Sequence, residues 1–489
     1  MTMAWTAGHL PGLREDEVAW HTLDFGAGTQ QLAVRVPLLQ PRQLRELACR
    51  VRDAGAQHLQ PLPVSRVIEI LDAAVARLLD PADPFRQEAE RLLPVVSGYD
   101  AEMVRLGLDG FLQSFRAPQL HRFVAEDFAN PKVLDEFQPA VKGGAVRAFG
   151  PALLVHSWAG NVPALPLWSL ACGLLVKSGN VGKLPSAEPV FASLFARLLA
   201  QVHPPLAECL AVVWWKGGDE DSARALFGEA ETVLAYGGND AIAQVRAQVP
   251  ATTRFLGYGH KLGFGLVARE ALDASRAPPA ARDAAHDIVR YEQQGCYSPH
   301  HFYVQRGGKV SPRDFAQYLA AELANLQRRF PRRALALEES VALAGWRQGV
   351  ELQSLASGAV ALLGAPDAAW AVAYSDTPQP LAPTGGGRSI AVHAIEHLDD
   401  VIPLVAPHAA FLQTAGVAAD PRALYRIAER LGRAGVTRIC PLGAMTAPEA
   451  GWHHDGRFNL ADLVRMVEIE GAAERAADRL APYAQEWRP

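Results

Sequence analysis

Gly150-Pro-Ala-Leu-Leu-Val-His-Ser-Trp-Ala-Gly-Asn-Val-Pro163 is the stretch whose reading decides the fold. It belongs to a run from Arg147 to Lys177 with no charged residue between them, a length that by itself would suit a membrane span. The punctuation argues otherwise. Gly150, Pro151, Gly160, Asn161, Pro163 and Pro166 divide the run into a buried strand at 152–155, a polar loop at 156–161 and an apolar helix at 165–175. Strand, loop and buried helix in that order are the opening of a parallel α/β core.

Forward from this unit the pattern repeats. A turn at Gly179-Asn180, a short strand at 181–184 and a helix beginning at Pro185-Ser186 and running to Leu199 come first. A strand at 211–215 leads to a helix at 219–227, and a strand at 232–235 passes through Tyr236-Gly-Gly-Asn239 into a helix at 241–249. Units of this kind build a doubly wound sheet. Gly237-Gly238 would let backbone N–H groups approach a phosphate at a helix start, although glycines are common at such turns. No G-x-G-x-x-G and no G-x-x-x-x-G-K-[ST] motif is present. Farther on come a strand from Thr253 into a glycine-rich turn, a strand at 263–269, helices at 312–328 and 335–348, a strand at 370–373 and a loop at 378–387. The last hundred residues alternate again: strands at 390–393, 410–414 and 438–440, a helix at 421–434, an irregular segment at 441–456 and a helix at 460–470. Backward from Gly150, residues 41–137 carry helical spacing such as Val67, Ile70, Leu71, Ala74 and Leu78, and 21–38 reads as a hairpin.

The chain of 489 residues has room for about two or three domains, with the composition of an ordinary soluble protein. A formal charge of −5 implies neither nucleic-acid binding nor a membrane surface, and the first ten residues lack the basic flank and apolar core of a signal peptide. Five cysteines without paired spacing argue against a disulfide framework and for a reducing cytoplasm. Four of them, Cys49, Cys172, Cys209 and Cys440, sit in apolar or amphipathic surroundings as small hydrophobes. No metal site is expected: His300-His301 and His453-His454 are adjacent pairs without a carboxylate spacing to complete one.

Cys296 is different. In Tyr291-Glu-Gln-Gln-Gly-Cys-Tyr-Ser-Pro-His300 it follows a glycine at the junction of a helical and a strand-like segment, a place where a thiol can meet a ligand as a nucleophile. The same residues would also suit a cysteine that fills a turn.

Ser157-Trp-Ala-Gly-Asn-Val-Pro163, Gly179-Asn180 with Lys183 and Pro185, Tyr236-Gly-Gly238, the turn at 257–261 and Cys296, in that order, resemble the aldehyde dehydrogenase superfamily. More closely, Glu292-Gln-Gln-Gly-Cys-Tyr-Ser-Pro299, Gly257-Tyr-Gly-His-Lys261, Leu412-Gln-Thr-Ala-Gly416 and His453-His-Asp-Gly456 are similar to the LuxC-type acyl-CoA reductases, which supply fatty aldehyde in bacterial luminescence. The resemblance implies an aldehyde dehydrogenase-like α/β fold with two doubly wound domains. Residues 1–260 would hold an N-terminal helical layer and an NAD(P)-binding domain, 261–440 a catalytic domain, and 441–489 a segment returning toward the active site.

It also implies roles. Cys296 takes the acyl group, and Asn161 holds the carbonyl oxygen as it becomes an oxyanion, a donor whose removal typically costs about 10²–10³ in rate. Trp158, Lys183, Ser186, Gly237 and Gly238 line up with cofactor-binding positions, Lys183 near the adenosine ribose where a cation favours the 2′-phosphate of NADPH. Asn161 as a turn former and Lys183 as a solvated strand-end charge are the plainer alternatives. Gly257 falls where oxidising relatives carry the glutamate that activates water, with Glu270 and Glu292 as possible substitutes, and no glutamate lies near Arg388-Ser-Ile390 for the nicotinamide ribose. The expected activity is NADPH-dependent reduction of an acyl thioester to an aldehyde. A CoA-acylating aldehyde dehydrogenase using NAD, and a thioesterase or acyltransferase pairing Cys296 with His300, are the alternatives. Expected partners are acyl-CoA or another acyl thioester, an acyl ligase or carrier protein, and further copies of the chain. The helical N-terminal third is the expected wall of the acyl channel.

Overall fold

The computed structural model describes residues 2–481; residue 1 and residues 482–489, the outer ends of the first and last expected segments, lie outside the described residues. One sheet has the strand order Arg254–Tyr258, Thr232–Tyr236, Leu153–Ser157, Gly179–Lys183, Leu210–Val213, with every neighbouring pair parallel. The chain moves outward from Leu153–Ser157 through two strands and then returns to its other side. That reversal opens a crevice at the carboxyl ends of Leu153–Ser157 and Thr232–Tyr236, where doubly wound sheets bind ligands.

The second sheet has the order Val360–Leu363, Ala371–Ser375, Ser389–Ile395, Pro299–Gln305, Leu262–Val267, Leu412–Ala418, Arg438–Cys440, and only Val360–Leu363 pairs antiparallel. Pro299–Gln305 lies near its centre, so the segment that feeds it, including Cys296, is anchored by a fully buried strand.

The uncharged run explains the first sheet. Every residue of the helix Pro166–Leu175 is buried, and so is every residue of the strand Leu153–Ser157. Trp158 follows that strand with its indole donating to Ser169 Oγ at 2.9 Å, and a Cβ on Gly182 would come within 1.7 Å of the indole ring. The tryptophan therefore requires a glycine in the adjacent strand. The N-terminal layer consists of helices including Val64–Leu79, Pro84–Ser97, Ala101–Leu112 and Ala117–Asp127, preceded by the hairpin Ala19–Ala27 and Gln30–Leu38. Its residues Leu71, Leu108, Phe115 and Phe123 share one hydrophobic core with Trp168 and Leu194 of the sheet helices.

Four expectations need correction. Residues 460–470 do not form a helix: Arg465–Ile469 is a strand antiparallel to Ala145–Phe149, and the helix comes later, at Gly471–Arg479. Pairing with an available edge overrides a weak helical period. The helix placed at Pro185-Ser186 starts at Phe191, because the buried Glu188 carboxylate accepts the N–H groups of Val190 and Phe191. Gly179-Asn180 opens a strand rather than a turn, with the Asn180 side chain bonded to His156 at 3.0 Å. All five cysteines are free, and Cys49 and Cys440 are half-buried rather than buried. Among the described residues no helix is long and apolar enough to cross a membrane, and no three His, Cys, Asp or Glu side chains group as metal ligands.

Candidate active site

The approach to Cys296 is strained. Tyr291, Glu292 and Gln293 take φ values of 55°, 54° and 58°, three consecutive non-glycine residues in the left-handed region. Such conformations cost about 1–3 kcal/mol each and persist only where the surroundings over-determine them. Here they do. Glu292 and Arg388, both fully buried, form a two-pronged ion pair at 2.7 and 3.0 Å, and Arg388 also donates to Gln327 Oε1 and the Phe330 carbonyl, each at 2.7 Å. The Gln293 amide donates to the carbonyls of Pro299 and Ser389 and accepts the Ser389 N–H. Tyr99, from the helical layer, donates its hydroxyl to the carbonyls of Asn161 at 2.7 Å and Tyr291 at 3.3 Å, joining the two loops of the site.

Cys296 opens onto a cavity of about 450 Å³ whose wall includes Asn161, Val162 and Leu165, the Tyr236-Gly-Gly238 turn, Tyr258-Gly-His260, Gln293 to Tyr297, His300 and His454. The cavity thus lies at the crevice between the reversing strands. Burial pushes the thiol up to about 11, with the neighbouring Asp455 charge adding to it; the Gln413 hydrogen bond and Lys261 act the other way. Gln413 Nε2 donates to Cys296 Sγ at 3.4 Å and to Asp455 Oδ1 at 2.6 Å, and Asp455 lies 3.6 Å from Lys261 Nζ. Three distant motifs, at 257–261, 412–416 and 453–456, meet at the sulfur.

Of the residues singled out in the sequence, Asn161, Gly237, Gly238 and Cys296 share this cavity. Asn161 Nδ2 donates to the Gln294 carbonyl at 2.6 Å, which leaves the amide its second N–H, while its Oδ1 has no partner among the described residues. Gly238 caps the helix Asn239–Gln248 with φ −65°, and no protein atom lies within 4 Å of where its Cβ would be, so neither conformation nor packing explains the glycine. Trp158, Lys183 and Ser186 are not on the cavity wall. Trp158 is buried against Gly182; Ser186 accepts from the Trp214 indole at 3.2 Å. Lys183 ends its strand over the Trp215 ring at 5.5 Å with no carboxylate in ion-pair distance among the described residues, and burial lowers its pKa to about 8.

No aspartate or glutamate lines the cavity among the described residues. Gly257 lies inside the strand Arg254–Tyr258, where a Cβ would press on Ile242 of the preceding helix at 2.9 Å. Glu292 is committed to Arg388, and Glu270 is exposed beside Arg269. His300 accepts the Thr384 N–H at Nδ1, which places its proton on Nε2, and burial lowers its pKa to about 4. His301, the next residue of the strand, faces the other way and meets His393 at 3.2 Å. His454 is buried, stacked on Tyr258 at 4.3 Å, and likewise lowered to about 4. The described residues give Cys296 no hydrogen bond to a histidine, so the Cys–His pair of a thioesterase is not formed. Gln413, Asp455 and Lys261 were not singled out as site residues. Their motifs marked them, but only the fold brings positions 117 residues apart into contact.

A family model described as acyl-CoA reductase (LuxC) matches residues 59–466. Among curated proteins, the long-chain acyl-protein thioester reductase of Aliivibrio fischeri is 29% identical over 392 residues, covering 78% of this chain and 77% of that protein. Among solved structures, the aldehyde dehydrogenase KauB from Pseudomonas aeruginosa superposes with a TM-score of 0.74 at 14% identity, over 95% of this chain and 96% of that one. The NADP-dependent glyceraldehyde-3-phosphate dehydrogenase from Bacillus halodurans, complexed with NADP, gives 0.69 at 13% identity over 92% and 96%. The fold is that of the aldehyde dehydrogenases.

Replacing Arg388 by Met strands the Glu292 carboxylate in the interior, and breaking a buried pair in this way costs about 3–5 kcal/mol. Urea unfolding of Arg388→Met is therefore expected to lose that much, with part recovered in the double variant Glu292→Gln/Arg388→Met; wild-type stability in the single variant would contradict the role given to the pair.

Proposed function

The chain belongs to the LuxC family of acyl-CoA reductases, and on that premise we propose that it reduces an acyl thioester to an aldehyde through an acyl group held on Cys296, with NADPH as the reductant. The observation that carries this reading is a cavity that joins a cysteine to an amide donor and contains no carboxylate among the described residues. An acyl-enzyme meets two fates, water or hydride, and water needs a base to activate it. A wall that carries no carboxylate for that role favours hydride over water as the fate of the intermediate.

The residues present fit a dinucleotide. The open space before Gly238 and the N-terminus of Asn239–Gln248 suit a pyrophosphate. Lys183, without a carboxylate partner among the described residues, suits a 2′-phosphate that would favour its charged form, and one structural neighbour is an NADP enzyme. A nicotinamide cofactor held by these residues would supply hydride for the acyl carbon. The chain's own groups do the rest. Cys296 attacks the thioester carbonyl and expels the carrier thiol. Asn161, through the N–H not committed to Gln294, stabilises the oxyanion. The relatives' name points to a long acyl chain delivered on a protein, so an acyl-carrying partner is proposed beside acyl-CoA. The helical layer reaches this site through Tyr99 and is proposed to shape the acyl channel. Five free cysteines suit a reducing cytoplasm, and a homo-oligomer is proposed by analogy with the fold.

Two measurements test this. NADPH absorbance followed with acyl-CoAs from short to long should fall only when thioester is present, and Cys296→Ala should abolish the loss; free thiol released without loss of NADPH would point to a hydrolase or transferase. Lys183→Ala should raise KM for NADPH about tenfold while leaving KM for NADH nearly unchanged, as expected of one charge-assisted contact worth about 1.5–3 kcal/mol; equal effects on both cofactors would remove Lys183 from the 2′-phosphate.

A further inference from the structure

We propose that Gln413 is a further catalytic residue, holding the Cys296 sulfur through a side-chain amide that Asp455 orients and Lys261 braces. The inference rests on Cys296 being the nucleophile of the reading above. Gln413 is fully buried on the strand Leu412–Ala418, where a polar side chain is costly unless each of its atoms is partnered. All are. One N–H points to Asp455 Oδ1 at 2.6 Å, the other to Cys296 Sγ at 3.4 Å, and the amide oxygen accepts from Thr414 Oγ1 at 3.2 Å.

The orientation follows from donor and acceptor rules. A carboxylate only accepts, so a flipped amide would set oxygen against oxygen. Asp455 thus dictates that nitrogen, not oxygen, faces the sulfur. Asp455 is itself placed by a left-handed turn, φ 54° with Gly456 at 74°. Its other oxygen lies 3.6 Å from Lys261 Nζ, which also donates to the Ala410 carbonyl at 3.2 Å. The Lys261 and Asp455 side chains are 17% and 9% exposed, so solvent screens the pair little. The cation offsets a carboxylate that would otherwise oppose negative charge on the sulfur.

That charge appears twice in the reaction. In acylation the Sγ–C bond forms as the carrier's C–S bond breaks, and the carrier thiolate takes up the proton that Cys296 gave up. After hydride from the nicotinamide reaches the same carbon, the oxyanion re-forms C=O, the C–S electron pair returns to Cys296, and the aldehyde leaves. A donor fixed on the sulfur favours both thiolates and does little for the neutral thioester between them. One N–H therefore serves entry and exit.

The test is the rate of Cys296 alkylation by iodoacetamide against pH, read by mass spectrometry of the Cys296 peptide, with NADPH binding followed by fluorescence. The titratable groups on the cavity wall or charged beside the sulfur are Lys261, Asp455, His260, His300, His454, Tyr236, Tyr258 and Tyr297, and all are unchanged in Gln413→Met. That variant is expected to react about tenfold more slowly below the thiol's pKa, with its profile moved up by about one pH unit, as for one hydrogen bond to a charged group. NADPH binding should stay as in wild type. Gln413→Glu, which keeps the shape and brings a charge, should slow the reaction further and serves if the Met variant does not fold. Asp455→Asn should speed alkylation more in the Gln413→Met background than in wild type, because only in wild type does it also release the amide. A wild-type profile in either Gln413 variant, or equal effects of Asp455→Asn in both backgrounds, overturns the proposal. Aldehyde formation by Cys296→Ala would instead overturn the function reading, whatever Gln413 does.

Discussion

Everything at the site depends on holding Tyr291, Glu292 and Gln293 left-handed, and the Glu292–Arg388 pair is what holds them. Three such residues store several kcal/mol of strain at about 1–3 kcal/mol each. A buried ion pair contributes little net stability, because desolvation offsets most of its Coulomb gain. Its worth lies in direction. Two prongs fix the carboxylate, and further bonds to Gln327 and Phe330 fix the guanidinium, so the backbone between them has one conformation and delivers Gln294 to Tyr297 to the crevice. Arg388 stands where oxidising relatives were expected to place a ribose-binding glutamate, and here that neighbourhood is spent on the loop.

The two sheets then impose a division of labour. The first offers the carboxyl ends of Leu153–Ser157 and Thr232–Tyr236, with Asn161 on one side of the crevice and Gly237-Gly238 on the other. The second offers a central strand for the cysteine loop and, two strands along, Gln413. The helical layer closes the arrangement through Tyr99, which reaches both loops. A deeply placed thiol with a raised pKa is reluctant to ionise, and groups that favour its anion matter more there than they would in water.

The fold was legible because its signals are local. An uncharged run cut by glycine and proline can only be a buried strand and helix, and the repeated units after it follow from the same reasoning. Cys296 stands out for the same reason, following a glycine where a helical segment meets a strand, whereas Asn161, Gly237 and Gly238 are ordinary turn residues by themselves and gain their roles from the family resemblance. What escaped was relational. Nothing local marks Glu292 and Arg388, 96 residues apart, as one device, nor three ordinary residues as left-handed. Gln413 and Asp455 stood inside recognised motifs but gained chemical meaning only from the contact between them. The misplaced helix at 460–470 failed similarly, since the edge that captures Arg465–Ile469 lies more than 300 residues away in the chain.

The central claim is that Cys296 carries the acyl group and that hydride, not water, removes it. The direct measurement is to incubate the protein with a long-chain acyl thioester without NADPH, digest it, and weigh the peptide that contains Cys296. The account predicts an acyl adduct on that peptide which persists until NADPH is added and then disappears with release of an equal amount of aldehyde. Aldehyde formed without any adduct on Cys296, or an adduct lost as free acid at the same rate without NADPH, would contradict it.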